Sequence, residues 1–428
     1  MLQPKRLLSI DVLRAINMFF IIFVNDLSGV KNVPFWIDHV KGYEDGMHFA
    51  DTSMKYKFNP GYSIVSIMLI VVACIGNVQA QSNKIIIGYV GGFRGLINTA
   101  PIQAKKLTHI NYAFVDIKDN RAWLHREATD TINLKNLVLL KKQNPALKIL
   151  ISVGGWTWSG RFSDAVLTDT SRQRFVASAV AIVKKFDLDG IDIDWEYPSL
   201  PGDKGNIYRP EDKHNYTLLF KELRHQLDSL QHQTNKKYMV TTAVGGFKSF
   251  VDNTEMAEAQ QYLNYINLMT YDYSGGKIAS HHTLLYSSKA YKSYNNADAA
   301  VTLFEAAGVP ANKLVMGIAF YGKSSILVAG AKGLGGPIAT YNRGIGFTMI
   351  KDSILKMPGF KEHRDRHAKA DYIYNEGTRQ FITYDDEWSV KKKCKYVKRK
   401  KLAGAMFWEY NDDLKGYLLD VINRVLVD

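Results

Sequence analysis

Eight short apolar runs recur along the chain from residue 85 onward, separated by polar or amphipathic stretches. The runs are Ile85–Val90, Leu107–Val115, Lys148–Val153, Gly190–Trp195, Tyr238–Val244, Tyr265–Tyr271, Lys313–Phe320 and Leu402–Trp408. Segments with helical periodicity lie between them, for example Ser171–Lys185, Lys213–Leu230 and Asn296–Ala307. Strand alternating with helix in this way predicts an α/β fold, in which a parallel sheet closes into a (β/α)8 TIM barrel.

The interval between the seventh and eighth runs is too long for one loop. It covers about residues 322–383 and contains a glycine-rich part, then Lys351–Lys356 and the strand-like segments Tyr372–Tyr374 and Arg379–Tyr384. A connection of this length is expected to contain secondary structure of its own. We therefore expect a small α+β insertion between strands 7 and 8, either as a wall of a cleft or as a decorated loop without a role.

Three carboxylates stand at alternate positions of the fourth run. In a strand, Asp192, Asp194 and Glu196 point to one face about 7 Å apart, while the apolar residues between them point to the other. Burial and like-charge repulsion raise the pKa of at least one such group, which indicates acid–base catalysis rather than a solvated polar face. Glu196, at the carboxyl end of the strand, is the expected general acid, with Asp194 as its proton-sharing partner and Asp192 behind it. Asp189 has the opposite parity and is expected to be structural.

The row belongs to a longer motif with a known resemblance. Asp189–Pro198 resembles the D-G-x-D-x-D-x-E motif of family 18 glycoside hydrolases, the chitinase family, and continues with the W-E-Y-P typical of its chitinases. Ser152–Trp156 resembles the family's S-x-G-G strand, Met269–Asp272 its M-x-Y-D strand, and Gly404–Glu409 its last strand. These motifs follow the family's order, and the resemblance extends from about Lys84 to the C-terminus.

The resemblance implies substrate-assisted, retaining hydrolysis of β-1,4-linked N-acetylglucosamine polymers or oligomers. In that mechanism the 2-acetamido oxygen of the sugar attacks the anomeric carbon, and Glu196 protonates the leaving oxygen and later activates water. Asp194 orients the acetamido N–H. Tyr271 binds the acetamido group, Asp272 contacts the sugar, and Trp408 forms the apolar floor beneath it.

Further substrate contacts are expected where strands end. Sugar rings stack their C–H faces on aromatic rings, so Tyr89, Phe114 and Trp156 are candidate substrate-binding residues, together with Met269 of the M-x-Y-D motif. For each single aromatic residue core packing is an equal alternative, except that Trp156 is a stronger candidate because it follows Gly154 and Gly155 at a strand end. Weaker candidates are Trp123, Trp158, Tyr321 and Asp385.

Two other functional classes remain open beside the chitinase. One is a non-catalytic chitin-binding lectin on the same fold, against which the intact Glu196, Asp194 and Tyr271 argue. The other is an endo-β-N-acetylglucosaminidase acting on N-glycans, which in this family usually lacks the insertion. The expected partners are chitin or chitooligosaccharides, and we expect a monomer that needs no cofactor or metal.

Charge adds little to this interpretation. The 428-residue chain has a formal net charge of +14. Its lysine runs at Lys391–Lys395 and Lys398–Lys401 are expected to form the solvated face of a helix, and no motif indicates nucleic-acid binding. His281 and His282 are expected to be a solvent-exposed loop pair, because no Cys or acidic partner stands at metal-ligand spacing.

The segment from residue 54 to residue 80 resembles a signal peptide. A basic start precedes the apolar run Ser63–Ile75, and the small residue Ala80 suits cleavage. We expect a secreted protein, extracellular or periplasmic, in which Cys394 is then the remaining cysteine. The alternative is a lipid anchor at Cys74, within an imperfect lipobox.

Residues 1–53 do not fit this scheme. Arg6–Arg14 and the apolar Ile16–Val24 resemble the start of a heparan-glucosaminide N-acetyltransferase-like membrane protein. Some fifty residues are too few for a multi-helix site, so we expect a vestigial fragment or a wrong start without acyltransferase activity. The alternative is a genuine anchor that makes the enzyme membrane-associated.

Overall fold

The computed structural model describes residues 84–427. Its strands are β1 (Ile85–Gly91), β2 (His109–Lys118), β3 (Arg121–Trp123), β4 (Lys148–Gly154), β5 (Gly190–Asp194), β6 (Met239–Gly245), β7 (Tyr265–Met269), β8 (Leu314–Ala319), β9 (Tyr321–Leu327), β10 (Ile338–Gly346), β11 (Phe360–Asp365), β12 (Ala370–Asn375), β13 (Gln380–Tyr384) and β14 (Gly404–Trp408). Its helices are α1 (Glu127–Leu139), α2 (Phe162–Ala165), α3 (Asp169–Lys185), α4 (Asp212–Thr234), α5 (Lys248–Asp252), α6 (Met256–Ala259), α7 (Ala297–Ala306), α8 (Phe347–Asp352), α9 (Glu387–Arg399) and α10 (Tyr417–Val427).

Eight parallel strands close into the predicted barrel. Their order is β1, β2, β4, β5, β6, β7, β8 and β14, and β14 pairs with β1. The closing register places Ile85 beside Gly404, where a side chain on the glycine would collide with the Ile85 carbonyl. The (β/α)8 fold predicted from the alternating pattern is confirmed, and each predicted strand lies within a few residues of the observed one.

The barrel strands are buried on both faces because helices cover their outer side. Ile191 and Ile193 of β5 point outward into the main core, and Trp195 stacks on Phe162 with ring centroids 5.0 Å apart. The side chains of Asp192 and Asp194 therefore point into the barrel. This alternation places the acid row at the inner, carboxyl end of β5, as the two-residue periodicity predicts.

The predicted insertion between the seventh and eighth barrel strands is present. It contains an antiparallel five-stranded sheet in the order β10, β9, β13, β12, β11, with α8 between β10 and β11. β9 begins at Tyr321, two residues after the end of β8. The insertion therefore begins at the carboxyl end of the barrel, the end toward which the acid row extends.

Two expectations about polar residues are wrong. His281 and His282 are buried, because the loop that carries them packs under the insertion and the His282 backbone N–H donates to Thr383 Oγ1 at 3.2 Å. The lysine run is not uniformly solvated, since Lys393 is fully buried and pairs with Asp385 at 2.6 Å. Asp385, a weak candidate for substrate contact, is therefore paired with Lys393 in the interior.

The expectations for the N-terminal part lie outside the described residues. They are the membrane-protein-like segment 1–53, the signal peptide 54–80 and the lipid anchor at Cys74. Between residues 84 and 427, no helix is long and apolar enough to cross a membrane. Cys394 is a buried free thiol.

Candidate active site

Asp192 is the deepest member of the acid row and is held by hydroxyl and amide donors from four other barrel strands. Its carboxylate accepts hydrogen bonds from Tyr89 Oη (2.9 Å), Ser152 Oγ (2.7 Å), Thr241 Oγ1 (2.6 Å) and Asn267 Nδ2 (3.3 Å). Burial raises the pKa of Asp192, and the hydroxyl donors oppose that rise. This residue is therefore fixed in orientation by the surrounding strands.

Asp194 lies two residues nearer the carboxyl end of the barrel than Asp192 and has fewer hydrogen-bond donors around it. Its side chain is buried, and Oδ1 has no hydrogen-bond partner among the described residues. Burial, and then the neighbouring Glu196 and Asp192, raise the pKa of Asp194 well above its usual range. A buried carboxyl oxygen without a donor is suited to accept a hydrogen bond from a bound ligand.

Glu196 ends the row in a partly exposed position. Burial raises its pKa to about 7, Asp272 acts in the same direction, and the Tyr197 hydroxyl opposes the shift. The peptide bond between Glu196 and Tyr197 is cis. At neutral pH a substantial fraction of Glu196 is therefore protonated, as a proton donor requires.

The backbone around Glu196 is tied to the loop after β4. The Glu196 N–H donates to Ser159 Oγ at 2.9 Å, and that hydroxyl contacts the carbonyls of Gly155 (2.8 Å) and Asp194 (3.1 Å). The amide of Asn206 reaches the Glu196 carbonyl at 3.3 Å. These contacts fix where the Glu196 side chain leaves the strand.

Asp272 lies across the cleft, at the end of the M-x-Y-D motif, and is surrounded by donors. Tyr321 Oη donates to its Oδ1 at 2.5 Å, Lys323 Nζ lies 2.8 Å away, and His282 Nδ1 lies 3.7 Å away. Burial alone would raise the pKa of Asp272, but His282 and Lys323 hold it below its usual range. Asp272 is therefore a stable carboxylate that remains about half exposed.

Tyr271 and Met269, both from the same motif, line the inner side of the cleft. Tyr271 Oη contacts Met406 Sδ at 3.8 Å, and its ring meets Tyr321 edge-on. Burial and then Asp194 raise the pKa of Tyr271 well above its usual range, so it stays a hydroxyl donor. Met269 is partly buried against the apolar cluster inside the barrel.

Trp408 forms a flat apolar surface at the end of β14. Phe114 and Phe93 stack on it with centroid distances of 5.3 Å and 6.1 Å and interplanar angles below 20°. Tyr89 tilts against the same ring at 5.9 Å. Tyr89 is only 2% exposed and uses its hydroxyl on Asp192, so its burial favours a supporting role over the predicted sugar contact.

Trp156 stands apart from this floor, on the short helical turn after β4. It is 49% exposed and meets the ring of Tyr197 at 6.4 Å. Tyr197 in turn packs edge-on against Phe247. This open aromatic ring is available for stacking on the side of the cleft that carries Glu196.

The structure thus brings together at one end of the barrel all ten predicted site residues. These are Glu196, Asp194, Asp192, Tyr271, Asp272, Trp408, Met269, Tyr89, Phe114 and Trp156. Sequence reasoning missed His282, Lys323 and Phe93 as neighbours of this site. Phe93 carries a usable signal, because it follows two glycines directly after the first strand, whereas the other two do not. Among residues 84–427 there is no cluster of His, Cys, Asp and Glu that could hold a metal ion.

Comparison with known proteins agrees with this geometry. The family model "Glycosyl hydrolases family 18" matches residues 85–413. Chitinase A1 of Niallia circulans is 36% identical over 400 residues, covering 78% of this chain and 57% of that protein, so the chain spans little more than half of that relative's length. Chitinase 1 of Aphanocladium album is 33% identical over 346 residues, covering 74% of this chain and 78% of that protein.

A solved structure extends the likeness to three dimensions. The family 18 N-acetylglucosaminidase from Paenibacillus barengoltzii superimposes with a TM-score of 0.74 at 40% sequence identity. The match covers 80% of this chain and 100% of that one. The described part of this chain therefore has the architecture of a whole solved enzyme.

Proposed function

Because this chain belongs to glycosyl hydrolases family 18, we propose that it hydrolyses β-1,4 bonds in chitin or chitooligosaccharides. The observation that carries the proposal is the carboxylate row of β5, which ends in a partly exposed Glu196 with a pKa of about 7. A flat tryptophan surface, Trp408, lies at the same end of the barrel. A proton donor beside an apolar platform is the arrangement that cleavage of a glycosidic bond requires.

Glu196 is proposed as the general acid and then the general base. Its raised pKa supplies a proton for the leaving oxygen near neutral pH. Once it has donated that proton, the carboxylate can accept one from the attacking water. The fixed backbone around Ser159 keeps the carboxyl group directed at the same point through both steps.

Asp194 is proposed to bind the acetamido N–H of the sugar. Asp192 is held by four donors, whereas Asp194 Oδ1 has none among the described residues. The acetamido oxygen then forms the bond to the anomeric carbon, so that no protein side chain acts as nucleophile. In its ionised form, Asp194 stabilises the positive charge that develops on the acetamido group.

The other site residues are proposed to hold the sugar. Tyr271, which remains a hydroxyl donor, binds the acetamido group, and Asp272 accepts hydrogen bonds from ring hydroxyls. Trp408 supports the sugar's apolar face. Phe114 and Trp156 extend the aromatic surface along the cleft, and the insertion forms one of its walls.

A specific observation supports a second candidate within the same chemistry. The solved relative at 40% identity is an N-acetylglucosaminidase rather than a chitinase by name. This chain would then release single N-acetylglucosamine units from oligomer ends. The lengths of the products separate the two possibilities.

The test is hydrolysis of N-acetylchitooligosaccharides, with cellooligosaccharides of equal length as the matched control. The two substrates share the β-1,4 bond and differ in the 2-acetamido group. We expect turnover of the first alone, because the second lacks the internal nucleophile. Binding of chitooligosaccharides without turnover would replace the proposal by a lectin, and cleavage of N-glycans alone by an endo-β-N-acetylglucosaminidase.

We also propose that residues 54–80 direct export of the protein, because a chitin-degrading enzyme meets its substrate outside the cell. The support is the sequence of that segment, with its apolar run followed by Ala80. Mass spectrometry of the mature N-terminus distinguishes a start at Gln81 from a lipidated Cys74. A mature chain that keeps residues 1–80 would overturn the proposal.

A further inference from the structure

Lysines gather at the end of the barrel opposite the cleft. Lys84, Lys148 and Lys313 stand at or directly before the first residues of β1, β4 and β8. Others stand a few residues before β6 and β14, namely Lys237, Lys400 and Lys401. The first residues of parallel barrel strands meet at one end, so these six lysines share one face, called here the amino-terminal face.

The two acids at the start of β5 do not neutralise this face, because other lysines already pair with them. The buried Asp189 has Lys141 Nζ at 2.6 Å and Lys236 Nζ at 3.4 Å, and Lys148 only at 3.9 Å. The exposed Asp187 pairs with Lys236 at 2.8 Å. Their charge is thus met mainly by Lys141 and Lys236, which are not counted among the six.

Five of the six lysines have no carboxylate within 4.0 Å in the described part of the chain, the exception being Lys148. Lys84 Nζ donates to the Leu402 carbonyl at 2.6 Å, and Lys313 Nζ to the Gln260 carbonyl at 2.5 Å, so the partner of each is a neutral carbonyl and not a carboxylate. Lys398, at the end of α9, adds to them: burial and then Lys398 lower the pKa of Lys84. A surface of mutually repelling cations attracts a polyanion.

We propose that the amino-terminal face binds the anionic headgroups of a phospholipid membrane and directs the cleft away from it. Several lysines on one end of a barrel fit a planar, many-charged surface.

The test compares two triple variants of the full chain. Lys237→Glu, Lys398→Glu and Lys401→Glu alter the amino-terminal face at exposed positions that form no ion pair among residues 84–427. Lys277→Glu, Lys289→Glu and Lys332→Glu make the same charge change at exposed positions in the loop after β7 and in the insertion. Co-sedimentation with vesicles of phosphatidylcholine containing roughly 30% phosphatidylglycerol is measured against pure phosphatidylcholine, at low and high salt.

We expect the anionic-lipid-dependent, salt-sensitive part of the binding to fall roughly 10- to 100-fold in the first variant and little in the second. Hydrolysis of soluble chitooligosaccharides should be unchanged in both, which also shows that both variants fold. Equal losses in the two variants would overturn the proposal, since net charge alone would then explain binding. Absence of anionic-lipid dependence in the unmodified chain, or strong binding to heparin without binding to vesicles, would also overturn it.

Discussion

Two carboxyl groups face the same cleft, and their pKa values are shifted in opposite directions. Burial and then the Asp272 carboxylate raise the pKa of Glu196, on the β5 side, to about 7, and within residues 84–427 no cation pairs with it. Asp272, on the β7 side, is touched by Lys323 and Tyr321 and lies near His282, and its pKa falls below the usual range. The cleft therefore presents a proton donor on one side and a permanent carboxylate on the other, and the difference comes from burial and neighbouring charges rather than from the carboxyl groups themselves.

The largest expected effect comes from removing the donor. Glu196→Gln keeps the shape of the side chain but cannot protonate the leaving oxygen, so kcat on chitooligosaccharides should fall by about 10³-fold or more. Substrate affinity, measured by calorimetry, should stay within a few fold. A variant with near wild-type turnover would show that another group supplies the proton.

A smaller loss of kcat is expected when Asp194, the acid next to Glu196 in the row, is changed. Asp194→Asn leaves a side chain that cannot balance the charge developing on the acetamido group, so kcat should fall by about 10²-fold. Asp192→Asn is the matched control one step deeper in the row, where the donors already satisfy the carboxylate. Equal losses in both variants would mean that the row acts as one unit and that Asp194 has no separate role.

The lowered pKa of Asp272 is tested by changing Lys323, the cation beside it. Lys323→Met removes one cause of the lowered pKa of Asp272, so that pKa should rise and Asp272 should protonate at a higher pH. The acidic limb of the kcat/KM profile should then move to higher pH, with a loss of roughly tenfold at pH 5 and less at pH 8. Lys323→Arg keeps the charge and should leave the limb in place; a shift in both variants would point to packing instead.

The smallest expected effect is on folding, and it has opposite signs at the two groups. The pKa of Glu196 is raised in the folded state, so its contribution to stability is present below its unfolded value and is lost as pH rises through about 7. Glu196→Gln should therefore gain stability relative to the unmodified chain between pH 5 and pH 8, by about 1–2 kcal/mol. Urea unfolding at several pH values measures the gain.

Asp272→Asn is the control with the reverse sign. The lowered pKa of Asp272 contributes stability above its unfolded value, and this contribution is lost as pH falls through the folded one. The variant should thus be less stable than the unmodified chain at neutral pH and approach it at acidic pH. The same dependence of stability on pH in both variants would contradict pKa shifts of opposite direction at Glu196 and Asp272.

Much of the fold and the centre of the site could be predicted from sequence because both rest on local rules. Side chains alternate along a strand, so Asp192 and Asp194 point into the barrel and Trp195 points into the outer core. This alternation is a local property of the strand. The apolar runs, one after another, likewise determined the strands and the place of the insertion. The four motifs then identified the strand ends that meet at the cleft.

The tertiary structure alone decided which side chains modify the site. His282 is distant from any acid in the motif and was expected in solvent, but the insertion buries it beside Asp272. Lys323 reaches the same carboxylate only because β9 begins where β8 ends. Asp385 and Lys393 pair in the interior, at 2.6 Å. Periodicity reports which face a residue occupies, whereas a pKa depends on distances between residues far apart in sequence, and only the folded chain sets those distances.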